Sequence, residues 1–139
     1  MIRFDFDGRV EEKGGQQFVS GRGAYGDGWT RIYRPEPHGF ASSPIKGGKG
    51  LILPMRGNPD FAVALGGEHP DKRPSDLPGG GTAIYDSSGN IISLVGTKVR
   101  LVAPIFEFVG NLTIDGSISM TGGITAGGSI VDGDGNNGA

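Results

Sequence analysis

The sequence predicts an all-β fold in which a small antiparallel barrel precedes a β-helical stalk. Glycine supplies 28 of the 139 residues, yet it does not recur at every third position as it would in collagen. Apolar and polar residues alternate in short runs between glycines and prolines, which is typical of strands and turns. No segment favours a helix. We expect the barrel in residues 1–80, the stalk in residues 81–132 and a polar tip tail in residues 133–139.

The stalk prediction depends on residues 110–132, where one six-residue pattern occurs four times. Each hexad begins with a glycine and carries apolar residues two and four positions later, and Asp132 breaks only the last of these positions. Such alternation predicts a strand, and a regular glycine lets the strand turn a corner. The combination is typical of a β-solenoid. The apolar positions are Leu112, Ile114, Ile118, Met120, Ile124, Ala126 and Ile130.

Four hexads are too few for one chain to bury these apolar rows by itself. They provide about one winding of a single-chain β-helix, whereas about three stacked repeats are the minimum for stability. We therefore expect a homotrimer in which the seven apolar residues form a shared core, as in an intertwined triple-stranded β-helix with closed cyclic symmetry. The low hydrophobic fraction, 35%, also favours burial between chains. The alternative is a flexible glycine-rich tail with accidental spacing, against which two apolar rows in one register argue.

Shorter strands and two connectors account for the rest of the chain. Residues 1–34 predict three strands joined by glycine turns, one of them at Asp7-Gly8. Two segments rich in proline and glycine, residues 35–50 and 67–81, exclude helices and serve as connectors. The remaining predicted strands lie in residues 51–66, on either side of a turn at 56–60, and in the runs 83–85, 91–95 and 98–103.

Charge and composition exclude several kinds of partner. The formal net charge is −2, and residues 86–139 carry two basic and five acidic side chains. Because phosphate contacts need cations, we expect no nucleic-acid partner. Without cysteine, neither disulfides nor thiolate chemistry contribute. No apolar run approaches the ~20 residues of a membrane span, and the N-terminus lacks a signal-peptide segment, so we expect synthesis in a cytoplasm.

The sequence offers little for catalysis. His38 and His69 both lie beside prolines in the connectors, without an evident second ligand or orienting partner. No G-x-S-x-G motif is present. Hexapeptide acyltransferases also use β-helices, but they need many more hexads and a histidine in the solenoid. We expect no enzymatic activity.

Asp132 and Asp134 are candidate ligands for an axial metal ion. Asp132 occupies the slot that apolar residues hold in the earlier hexads. If that row faces a three-fold axis, three carboxylates meet there, and either a cation or protonation must offset their repulsion. Asp134 and Asn136 continue a D-x-D-x-N spacing, which opens an EF-hand-like loop, although the later Glu of that loop is absent. The alternative is a frayed end at which Asp132 reaches water. We expect no other cofactor.

Three segments, in this order and spacing, carry a resemblance to a known family. Residues 37–44, PHGFASSP, contain Gly-Phe-x-Ser-x-Pro, and residues 69–74, HPDKRP, form a short charged segment that ends in Arg-Pro. Residues 78–90, PGGGTAIYDSSGN, are similar to the family's transition into a β-helix. Followed by hexads, these segments resemble Mu-type baseplate assembly protein V, the central tail spike of contractile-tailed phages. The resemblance covers roughly residues 20–130.

The resemblance implies an OB-fold in the N-terminal barrel and a trimeric triple-stranded β-helix after it. It also implies a spike at the centre of the baseplate, in contact with hub and tail tube proteins. Such a spike caps the tube and is driven through the host outer membrane on sheath contraction. It would belong to the virion, after assembly in the host cytoplasm. Family members often end in a His-x-His apex that binds iron. This sequence ends without histidine, so we expect a blunt apex, a separate tip protein or a different ion.

A receptor-binding adhesin or fibre tip, also trimeric and β-helical, is the alternative function. An adhesin usually exposes aromatic or polar binding loops. Residues 110–139 contain no aromatic residue, which favours a smooth shaft.

Overall fold

The computed structural model describes residues 1–131 and 133, apart from the side chain of Pro59. This part of the chain forms eight β-strands and no helix, which confirms the predicted all-β class. The strands are β1 (Ile2–Lys13), β2 (Gln16–Gly23), β3 (Gly28–Tyr33), β4 (Lys49–Met55), β5 (Asn58–Glu68), β6 (Thr82–Tyr85), β7 (Ile91–Val95) and β8 (Lys98–Val102).

Strands β1 to β5 form a closed barrel in the order β1-β2-β3-β5-β4. Their neighbours pair antiparallel, except that β3 and β5 meet in parallel at Tyr33 and Val63. Closure removes the free sheet edges that invite mispairing. The barrel is consistent with the OB-like fold expected from the sequence.

The barrel core is small, and two phenylalanines of β1 dominate it. Alternation turns Phe4 and Phe6 inwards, where their rings meet edge to face with centroids 4.9 Å apart. Strand glycines make room for them: a Cβ on Gly21 would lie 2.5 Å from Cζ of Phe4, and one on Gly50 would lie 2.7 Å from Cε2 of Phe6. The core therefore requires glycine within β2 and β4. Its buried apolar side chains are Phe4, Phe6, Val19, Ile32, Ile52 and Ala64.

The predicted turn at Asp7-Gly8 is wrong, because β1 continues through it. The strand bends there instead, with a register shift against β2 that begins after Phe6. The backbone of Phe6 pairs with the first connector: its N–H donates to the carbonyl of Gly48 at 2.9 Å, and its carbonyl accepts from the N–H of Gly47 at 3.0 Å. These long-range hydrogen bonds hold the strand extended across residues that locally favour a turn.

Strands β6, β7 and β8 form a separate antiparallel sheet in chain order, which confirms the strands predicted between Ala83 and Ala103. Its hydrogen bonds run within the chain. The carboxylate of Asp86 closes the first turn by accepting the N–H groups of Ser88 and Asn90, at 2.8 and 3.0 Å. A hydrogen bond from the Asn90 side chain lowers the pKa of Asp86, so this turn keeps its acceptor ionised.

The chain divides into two compact units, residues 1–105 and 106–139. The first contains the barrel and the three-stranded sheet. The described residues of the second unit form no helix or strand, but their backbone bends at regular intervals. The predicted domain boundaries after residues 80 and 132, and the β-helix itself, stay predictions. The bends fall on the hexad glycines, at residues 115–116, 121–122 and 127–128.

Candidate assembly surfaces

The seven apolar residues predicted as a trimer core are all exposed in the single chain. Leu112, Ile118 and Ile124, which share one hexad position, are 65%, 64% and 60% exposed. Ile114 and Met120, which share the other, are 49% and 52% exposed. Ile130, which shares the hexad position of Leu112, is 48% exposed. Exposed apolar surface of this kind is typical of protein–protein and membrane interaction sites.

The residues between these apolar positions are short and uncharged, with one exception. Because side chains alternate along an extended chain, the segment has one apolar side and one side of hydroxyls, amides and glycines. Asp115 is the one charged residue between positions 110 and 131. The intervening residues are Asn111, Thr113, Asp115, Ser117, Ser119, Thr121, Gly123, Thr125, Gly127 and Ser129.

The three-stranded sheet presents a second uncovered apolar surface, which we call the apolar sheet face. Register places Ile84 opposite Ile92 and Ile92 opposite Leu101, and it pairs Leu94 with Val99. Directly opposed residues share a face, so these five side chains form one patch with Thr82 at its edge. All five are exposed, from 41% for Ile92 to 63% for Val99. The opposite face is half-buried, and there Ile91 and Ser93 line a cleft with Pro74 and Leu77 of the second connector.

The outer surface of strands β4 and β5 forms a third apolar surface, the barrel wall. Ile52 and Ala64 point into the core with no exposed surface, so their strand neighbours point outwards. Leu51 lies opposite Leu65, and Leu53 opposite Val63. Phe61, farther along β5, is 69% exposed. The barrel wall consists of Leu51, Leu53, Phe61, Val63 and Leu65.

A buried arginine fixes the first connector to the barrel. Arg34, directly after β3, is 7% exposed. Its guanidinium donates to the carbonyl of Gly66 at 2.8 Å and to Oε1 of Gln17 at 2.7 Å. It also donates to Oγ of Ser42 at 3.0 Å and pairs with Glu36 at 3.1 Å. We call these five residues the Arg34 clamp. It joins β2, β5 and the connector at one point.

The clamp also explains the Gly-Phe-x-Ser-x-Pro segment. Glu36 accepts hydrogen bonds from both the N–H and the hydroxyl of Ser42, so residues 37–41 close into a loop that exposes Phe40. Burial alone would raise the pKa of Glu36, but the hydrogen bonds from Ser42 and the charge of Arg34 outweigh it and hold that pKa below its ordinary value of 4.5. The loop is therefore anchored by an ionised carboxylate at neutral pH.

The candidate ion ligands Asp132 and Asp134 lie outside the described residues, as does most of the predicted tip tail. Among residues 1–131 and Gly133, no group of three or more His, Cys, Asp or Glu side chains could hold a metal ion. His38 is exposed, and Nδ1 of His69 accepts the N–H of Asp71 at 3.2 Å. The structure, where it is described, has no helix long and apolar enough to cross a membrane.

Sequence reasoning missed the apolar sheet face, the barrel wall and the Arg34 clamp. The two faces of β7 both begin with isoleucine, at Ile91 and Ile92, so strand register is needed to identify the uncovered one. The clamp joins residues from positions 17 to 66, and no local pattern marks it. A single arginine after a strand, followed by Pro-Glu, was the one available signal.

Comparison with known protein families gives a match in the barrel. Residues 8–71, just under half of the chain, match the family described as Bacteriophage Mu Gp45, N-terminal. The match begins within β1 and ends just after β5. No curated protein matches the chain. Over these residues the chain is similar to Bacteriophage Mu Gp45, which supports the resemblance to the Mu-type baseplate assembly protein V family.

Proposed function

We propose that this protein is the central spike of a contractile phage tail, a homotrimer that caps the tail tube and is driven through the host outer membrane when the sheath contracts. The family supports a structural role in the tail. The assignment to a piercing spike rests on the chemistry of residues 110–131.

The observation that carries the proposal is the exposed apolar surface of the hexads. Six large apolar side chains stand between 48% and 65% exposed at regular spacing, and one copy has no means to cover them. The residues between the bends lack in-chain strand partners in the described structure, so their N–H and C=O groups are available to other chains. Three copies around one axis satisfy both requirements, because the apolar side turns inwards and the backbone groups pair between chains.

This assembly would suit a piercing element. In an intertwined helix no open sheet edge remains along the shaft, and opening one chain requires opening all three. The outward side would carry only short, mostly uncharged side chains. A shaft of this kind resists both unfolding and lateral adhesion under load.

The barrel would provide attachment to the rest of the tail. The barrel wall is an apolar surface on an already closed and internally packed domain, so it adds nothing to the barrel's own core. We assign it to contact with the baseplate hub or the tail tube. Under this proposal the protein catalyses no reaction, and the tip is completed by a separate protein or by an ion held by Asp132 and Asp134.

The first experiment is the mass of the full chain in solution, by light scattering behind a sizing column. The proposal expects a mass three times the chain's 14.4 kDa and resistance to SDS without boiling. A monomer would refute it. Host-cell binding then separates the spike from an adhesin: an adhesin retains purified protein on intact cells, whereas a spike that acts only under sheath contraction does not.

A further inference from the structure

The apolar sheet face is exposed to solvent in the described part of the chain. The other face of the same sheet is half-buried against the second connector, whereas this one exposes five large apolar side chains. It carries no charged residue: its members are Thr82, Ile84, Ile92, Leu94, Val99 and Leu101.

We propose that the β6–β8 sheet sets the register of the three chains, by packing its apolar sheet face against the same face of two other copies before the hexads pair. This inference rests on the proposed trimer. It assigns the sheet a task that the hexads cannot perform for themselves.

Covalent continuity identifies a second copy of this chain as the occupant. Seven residues, 103–109, separate β8 from the first hexad, and seven residues span at most about 25 Å. Any assembly that joins the hexads of three chains therefore holds their sheets at high effective concentration. A face without charge meets three-fold copies of itself without electrostatic repulsion.

The width of the sheet fits a three-fold arrangement. Three strands about 4.8 Å apart make a wall about 14 Å wide. Three such walls, arranged as a triangular prism, place each wall centre about 4 Å from the axis. This is close to half of the roughly 10 Å that separates packed sheets. The enclosed space therefore accommodates one layer of side chains from each wall.

The hexads need an external register because they repeat. A slip of six residues brings glycine back onto glycine and an aliphatic side chain back onto an aliphatic side chain, at Leu112, Ile118 and Ile124. Repetitive strands specify register weakly. The apolar sheet face does not repeat, so it has one way of meeting its copies.

The order in which the sheets and the hexads associate follows from which of their backbone hydrogen bonds form within one chain. The strands of the sheet pair within one chain through short turns, and hairpins form in about 1–10 μs. The described hexad residues have no in-chain strand pairing, so they must wait for three chains to meet. The preformed sheets are thus available to associate first.

A cross-linking experiment tests the register. Because the chain has no cysteine, Ala126→Cys supplies a single thiol at a position assigned to the trimer core. In-register trimers bring these thiols together and cross-link on mild oxidation. We expect Leu94→Lys, on the apolar sheet face, to lower the cross-linked yield at least tenfold. The matched control Thr97→Lys adds the same charge in the turn between β7 and β8 and should leave the yield unchanged.

Assembly kinetics provide the second readout and separate the possible failures. Leu94→Ala should slow trimer assembly about tenfold, whereas Ile124→Ala should mainly speed dissociation. Equal cross-linking in the Leu94→Lys and Thr97→Lys chains, or slower assembly from Ile124→Ala than from Leu94→Ala, would overturn the inference while leaving the trimer intact. A monomeric parent chain would instead overturn the proposed function.

Discussion

Replacing Ile118 by alanine distinguishes a trimer core from a loose tail. In the single chain Ile118 is 64% exposed, so its truncation should change the stability of an isolated chain by no more than about 0.5 kcal/mol. In the proposed trimer the same side chain is buried, and a buried Ile→Ala change costs about 2–5 kcal/mol. Each trimer loses three such side chains, so the total is about 6–15 kcal/mol.

Thermal unfolding and light scattering measure this effect on the full chain. We expect the melting temperature of Ile118→Ala to fall by on the order of 10 °C, or the trimer to dissociate at low protein concentration. Ser119→Ala is the matched control, since Ser119 is the adjacent residue on the polar side and loses only a hydroxyl. Equal melting temperatures for the two variants would refute the assignment of this row to a shared core.

Further predictions concern the barrel, and urea unfolding of the full chain measures them. Arg34→Met should cost about 1–3 kcal/mol because Oε1 of the buried Gln17 and the carbonyl of Gly66 lose their donor. Arg9→Met, which removes an exposed ion pair, should cost less than about 1 kcal/mol, and equal losses from the two variants would contradict the clamp. The pKa of Glu36 lies below its ordinary value of 4.5, so its contribution is complete above that pH and is lost as the pH falls through the folded-state pKa. A Glu36→Gln chain should therefore show a shallower loss of stability below about pH 4.5, and parallel acid profiles would exclude this role. Gly50→Ala should cost about 1–3 kcal/mol through overpacking, because the added Cβ meets the carbonyl oxygen of Leu65 and the ring of Phe6. Gly28→Ala has open space and should cost less, and the reverse order would contradict the account of the core.

The sequence predicted those parts of the fold whose signal is local. Alternation around Phe4 and Phe6 located β1, and the spacing from Gly110 to Gly128 located the bends. It failed at Asp7-Gly8, where hydrogen bonds to residues 47 and 48 override a local turn preference. Arg34 shows the same limit, because its partners come from β2, β5 and the first connector.

The candidate surfaces also differ in whether a local sequence pattern predicts them. Both hexad rows could be read from the sequence, since each is periodic within one short segment. The apolar sheet face required the register that sets Ile92 against Ile84 and Leu101. A strand with apolar residues on both sides does not disclose by itself which side its own chain will cover. The two candidate ion ligands, Asp132 and Asp134, lie outside the described residues, so ion binding at the tip stays a prediction.

The scarcity of charge between positions 110 and 131 has a consequence for the conditions under which the assembly holds together. With Asp115 as the one charged side chain there, each copy in the proposed trimer would contribute a single carboxylate from these residues. Cohesion of the proposed trimer would then come mainly from apolar contact and backbone pairing, and charge screening by dissolved ions would affect it little. The dissociation temperature of the proposed shaft should therefore change little from 10 mM to 1 M sodium chloride.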